Sequence, residues 1–63
     1  MNTPLYYRTR FGSLCERQVG PDAQGFVTVR RLVDDAIHEW HISELTPVTD
    51  AEAVAEAFAE LSA

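Results

Sequence analysis

The run His38-Glu39-Trp40-His41 and the single Cys15 are the residues whose types could hold a metal, and spacing decides whether they do. On a helix, two histidines three apart share a face, and a carboxylate or thiolate could complete the shell. On a strand, positions 38 and 41 point to opposite sides and cannot converge. The pattern of the surrounding residues favours the strand, so neither a metal nor another cofactor is expected. Asp34-Asp35 fall at an expected turn, where solvation is the ordinary fate of neighbouring carboxylates. Ser13, Ser43 and Ser62 sit in no nucleophile-elbow context. Cys15 reads as a small core residue, since free cysteine is usually buried. No Gly-rich phosphate loop is present, and a chain of 63 residues has little room to enclose a substrate. The expectation is a protein that is not an enzyme.

The elements that position these residues turn on residues 26–48, FVTVRRLVDDAIHEWHISELTPV, which hold the only Trp and both His. As a helix, Val29, Leu32, Val33, Ala36, Ile37 and Trp40 fall on one face. As a hairpin turning at Asp34-Asp35, Val27 pairs with Ile42, Val29 with Trp40, Arg30 with Glu39 and Leu32 with Ile37, contacts of the kind that stabilise sheets. Arg30 and Arg31 would oppose the positive end of a helix dipole at up to ~1 kcal/mol each, with no useful capping residue before them. Residues 26–29 are β-branched and aromatic and follow Gly25. The pattern therefore predicts the hairpin, with room for a loop wider than two residues because Asp-Asp is a poor two-residue turn.

Before the hairpin, residues 5–11 alternate as a strand does, sending Leu5, Tyr7, Thr9 and Phe11 to one apolar face, with Leu5, Tyr7 and Phe11 expected toward the core, and Tyr6, Arg8 and Arg10 to the other. Gly12 and Ser13 mark a turn. Residues 13–19 read as a second strand with Leu14, Cys15 and Val19 as core candidates, and residues 20–25 are turn chemistry throughout. Residues 26–33 and 36–42 are the third and fourth strands. Residues 43–48 suggest a tight helical turn with Leu45 facing inward, then a short closing strand. Thr49 with Glu52 fits a capping box. The helix that follows has an apolar stripe of Ala51, Val54, Ala55, Phe58 and Leu61, while Glu52, Glu56 and Glu60 recur on a different face. The expected fold is α+β and mainly antiparallel β: a single domain over 1–63, with a four- or five-stranded barrel or sheet over 5–48 and one C-terminal amphipathic helix over 49–62.

So short a chain buries only ~60% of its unfolded surface. One cysteine cannot form an internal bridge, which argues against a secreted, stapled mini-protein. Met1-Asn2-Thr3-Pro4 begins no signal segment, and no stretch approaches the ~20 apolar residues of a membrane span. A cytoplasmic monomer or homodimer without membrane contact is expected. Charge is polarised along the chain: residues 1–31 hold all five arginines against Glu16 and Asp22, whereas residues 32–63 hold eight acids and no Arg or Lys, for a net charge of −5.

The short strands and tight hairpin, closing in H-I-S-E-L-T-P-V at residues 41–48, resemble the end of an SH3-like small β-barrel. Such barrels often finish with a strand, a 3₁₀ turn bearing an inward Leu, and an apolar residue after a Pro. The likeness covers roughly residues 5–48 and implies little about activity, because such folds host many. Small size, acidity and the lack of catalytic residues are also similar to phage-encoded anti-defence proteins, including anti-CRISPR inhibitors and DNA mimics.

Two binding modes follow. In the first, Asp34, Asp35, Glu39, Glu52, Glu56 and Glu60 contact a partner protein with a basic surface, carrying carboxylates where DNA carries phosphates. In the alternative, Tyr6, Arg8 and Arg10 form an outward aromatic-basic stripe on an SH3-like nucleic-acid- or peptide-binding module. The net charge opposes that stripe, so nucleic acid is the less expected partner. A peptide groove on Trp40 or Phe26 ranks lower, since the hairpin register places Trp40 beside Val29 in the core.

Overall fold

The computed structural model describes residues 4–62, without the side chain of Ser62. The expectations on Met1, Asn2, Thr3 and the Ser62 hydroxyl lie outside it. Five strands, β1 (Tyr6–Thr9), β2 (Leu14–Val19), β3 (Phe26–Arg31), β4 (Ile37–His41) and β5 (Leu45–Pro47), are followed by one helix, α1 (Ala51–Ser62). A 3₁₀ turn, Ile42–Glu44, joins β4 to β5. The strands form one antiparallel sheet in the order β4-β3-β2-β1-β5. The α+β, mainly β character read from the sequence is present, as a sheet with two free edges and no pairing between β4 and β5.

The hairpin forms, but its register differs from the expected one. Val27 faces Trp40, Val29 faces His38 and Arg30 faces Ile37. The loop occupies residues 32–35, closed by the Arg31 N–H donating to the Ala36 carbonyl at 2.8 Å. Asp35 takes the left-handed conformation there, at φ 60°, a backbone that Asp tolerates better than most residues. A four-residue loop in place of two moves each pairing by two positions. Because side chains alternate with period two, an even shift leaves each on its expected face.

One face holds the core, in which Tyr7, Cys15, Val27, Val29 and Leu45 pack together with Trp40 and Ile42 against them. Leu45 lies on one edge strand and Trp40 on the other, which a flat sheet would hold roughly 19 Å apart at four strand spacings. Both touch one cluster, so the sheet must curl around it. Leu45 is inward, as expected, and ends its 3₁₀ turn by donating its N–H to the Ile42 carbonyl.

Three expected core positions lie outside. Leu5 precedes β1, and Phe11, 77% exposed, lies beyond its end. The strand stops at Thr9, whose buried hydroxyl accepts from the Phe11 and Ser13 N–H groups at 3.3 Å each and folds the chain into a turn. Gly12 completes that turn at φ 83°, a left-handed backbone suited to glycine. Val19 is exposed because β2 is bulged at Gln18: Arg17 pairs with Val29 but Val19 with Thr28, which reverses the alternation.

The helix begins one residue later than the sequence suggested. Asp50, and not Thr49, is the cap, its Oδ1 accepting from the N–H groups of Glu52 and Ala53 at 2.8 and 3.2 Å. Its sheltered stripe is Val54, Ala57 and Leu61, with Phe58 at its margin, while Ala51 and Ala55 are exposed. Two contacts tie α1 to the face carrying Tyr6 and Arg8. Phe58 meets the Tyr6 ring edge-on at 5.3 Å, and Glu60 accepts from Arg8 at 2.9 Å. Among the described residues no helix is long and apolar enough to cross a membrane.

Candidate protein-binding surface

The charge segregation along the chain is largely undone by folding. Folding brings early arginines against later acids: Arg8 meets Glu60 of the docked helix at 2.9 Å, Arg10 meets Glu44 of the 3₁₀ turn at 3.6 Å, and Arg31 meets Asp34 in the loop after β3 at 2.7 Å. Arg30 lies between two carboxylates, Glu16 at 3.0 Å and Asp35. Arg17 takes a different role, donating to the Pro4 and Gly20 carbonyls. The expected Arg30–Glu39 pair is absent, because the shifted register puts Thr28 opposite Glu39.

These pairs are real enough to move protonation. The Arg31 guanidinium beside Asp34, helped by the Ala36 N–H, holds that carboxyl at about 2. Glu16 is also lowered, first by the Gln18 amide and then by Arg30. Asp34 and Asp35, expected to be simply solvated, are instead the turn's own counter-charges. Each surface pair contributes little to stability by itself.

Of the six acidic residues expected to meet a partner, Asp34, Asp35 and Glu60 are therefore engaged within the chain. Glu39, Glu52 and Glu56 have no cationic partner among the described residues, and neither do Asp22 or Asp50. Glu52 and Glu56 lie one turn apart on exposed α1, next to the cap Asp50. Between α1 and the chain around Pro47 runs an open cleft of about 360 Å³, flanked by Asp50, Glu56 and Glu60 with Arg8 at its side. Negative charge is thus concentrated on the first half of the helix, and Glu39 stands apart on β4.

The alternative stripe is not an open surface. Tyr6 faces Phe58, Arg8 is held by Glu60 and Gly12, and Arg10 by Glu44. The charges that would meet phosphates are already matched inside the molecule.

A second cleft, of about 220 Å³, opens at one end of the curled sheet between Phe11 and Trp40, with Thr9, Cys15, Arg31 and His38 also lining it. Sequence reasoning placed Phe11 in the core and so missed this wall. The turn signal at Gly12-Ser13 was the available clue that the strand ends early. Burial pushes the Cys15 thiol up, which keeps it protonated and a poor nucleophile. His38 and His41 lie on β4 facing opposite sides, and His41 already bonds through both ring nitrogens, to Ser43 at 2.8 Å and the Gln24 carbonyl at 3.1 Å. Among the described residues, no three His, Cys, Asp or Glu side chains are grouped so as to hold a metal ion.

Comparison of the chain with protein-family models, curated proteins and solved structures gives no match.

Proposed function

We propose that this chain is a non-enzymatic inhibitor or regulator that binds another protein, setting the acidic start of α1 against a basic surface. The observation that carries this reading is the sorting of its carboxylates. Arg8, Arg10, Arg30 and Arg31 meet carboxylates within the molecule, whereas Asp50, Glu52 and Glu56 remain on one exposed end of the helix with no cationic partner among the described residues. Clustered negative charge of this kind steers association with a positive partner and loses strength as salt rises. A target whose basic groove binds nucleic acid fits best, as for an anti-defence protein acting as a DNA mimic. Strand order and the 3₁₀ turn before β5 support reading the fold as an SH3-like barrel left open along one seam.

The test compares proteins captured from a cell lysate by the native chain and by the double variant Glu52→Arg/Glu56→Arg. A partner retained by the native chain, lost from the variant and displaced by duplex DNA is the expected result. Equal capture by both, unaffected by salt, overturns the proposal.

A further inference from the structure

The two edges of the sheet differ in what they can accept. On β5, the Leu45 N–H is spent on the Ile42 carbonyl, Pro47 has no N–H, and Thr46 pairs inward with Arg8. That edge offers no donor to a new strand. On β4 the opposite holds. Bonds from the Ile42 N–H to the Gly25 carbonyl and from the Arg31 N–H to the Ala36 carbonyl, both 2.8 Å, fix the phase of the ladder. Residues 36, 38, 40 and 42 face β3, so the N–H groups of Ile37, Glu39 and His41 and the C=O groups of Ile37 and Glu39 point away from the sheet, the His41 carbonyl being the cap of the 3₁₀ turn.

We propose that β4 takes an extended segment of a partner protein as an added strand, and that the segment alternates cationic and apolar residues. The backbone supplies the pairing, as in other strand-addition complexes, and side chains set the composition. Glu39 has no counter-charge among the described residues and shares a face with exposed Ile37. A cationic side chain on that face meets Glu39, in a molecule whose net charge of −5 already favours a basic partner. On the other face stand Trp40 and, edge-on to it at 6.0 Å, the exposed Phe11. An apolar side chain there lies against Trp40 at the mouth of the smaller cleft. The proposal deepens the reading of a basic partner by naming where and in what conformation it docks, and it rests on that reading.

The blocked peptide Val-Arg-Val-Arg-Val-Arg-Val is the probe, titrated into the isotopically labelled chain with amide hydrogen exchange read by NMR. Exchange at Ile37, Glu39 and His41 should slow at least about tenfold, with His38 and Trp40, already bonded to β3, unchanged. Glu39→Pro removes an outward N–H and no bond within the sheet, so it should keep the fold and abolish this protection. Glu39→Gln should keep the protection and weaken affinity. The double variant Glu52→Arg/Glu56→Arg should leave protection at β4 intact. Peptide-induced shifts confined to α1 would overturn the strand site while leaving the acidic-helix reading standing. Protection that grows with protein concentration without peptide would overturn it by making a second copy the occupant. Absence of any peptide binding at low salt would overturn it too, and lysate capture would then judge the helix separately.

Discussion

Arg8 and Glu60 are 52 residues apart in sequence and 2.9 Å apart in the folded chain. Their contact, with the edge-on meeting of Tyr6 and Phe58, fixes α1 on the face of the sheet opposite the core. It also matches Arg8, a charge that in isolation looked available for phosphate. Helix docking and the silencing of Tyr6 and Arg8 are one event, while Arg10 is matched separately by Glu44.

Truncating the aromatic part of that clamp should loosen the helix without dissolving the sheet. Phe58→Ala is expected to cost about 2 kcal/mol, less than a fully buried Phe because the residue is 38% exposed. Amide exchange should accelerate along α1 while β2 and β3 stay protected. Uniform acceleration over the whole chain would show that the helix is no separate unit.

Val27 is fully buried at the centre of the core, and Val27→Ala should cost about 2 kcal/mol. A domain this small has on the order of 5 kcal/mol to lose, so the urea midpoint should fall by a large fraction. Trp40 packs against that cluster and gives the fluorescence signal to follow.

The cap assignment separates two adjacent residues. Asp50→Ala should remove about 1 kcal/mol and reduce helical circular dichroism, while Thr49→Ala should change neither. The reverse pattern would restore the capping box to Thr49.

Acid sensitivity follows from the lowered carboxyls. A group whose folded pKa is depressed adds stability above its unfolded value and loses it as pH falls through the folded one. Asp34, at about 2 against an ordinary 3.8, should therefore lose its contribution between about pH 4 and pH 2. Asp34→Asn should flatten the stability profile over that interval. An unchanged profile would mean that the Arg31 pair opens in solution.

Cys15 is 1% exposed with a raised pKa, so a disulfide reagent at neutral pH should react far more slowly with the native chain than with the urea-unfolded one. Immediate stoichiometric labelling would show that the cleft beside Trp40 admits reagent to the thiol.

What the sequence revealed depended on the range of the interaction. Alternation of side chains placed Tyr7, Val27 and Val29 on one face, and Leu45 announced the 3₁₀ turn, because these are local regularities. The register of the hairpin did not follow, since it is set by a loop in which Asp35 adopts a left-handed backbone. Phe11 and Val19 escaped because a turn and a bulge interrupt the alternation that was extrapolated through them. Pairings such as Arg8–Glu60 and Arg30–Glu16 have no local signature, so the acidic surface was legible in amount but not in place. Arg31–Asp34, three positions apart, and Arg30–Asp35, five apart across the same loop, are pairs that spacing could have suggested.

Pro47 and the 3₁₀ turn that precedes β5 have an effect beyond this one molecule. A sheet open at both sides can stack copy upon copy into a fibril, each new chain presenting the docking side for the next. Here a chain that reached β4 through its own β5 would bring no donor to the join. Head-to-tail growth would rest at every join on the carbonyls of Leu45 and Pro47 alone, half of an ordinary ladder, which disfavours a repeating step.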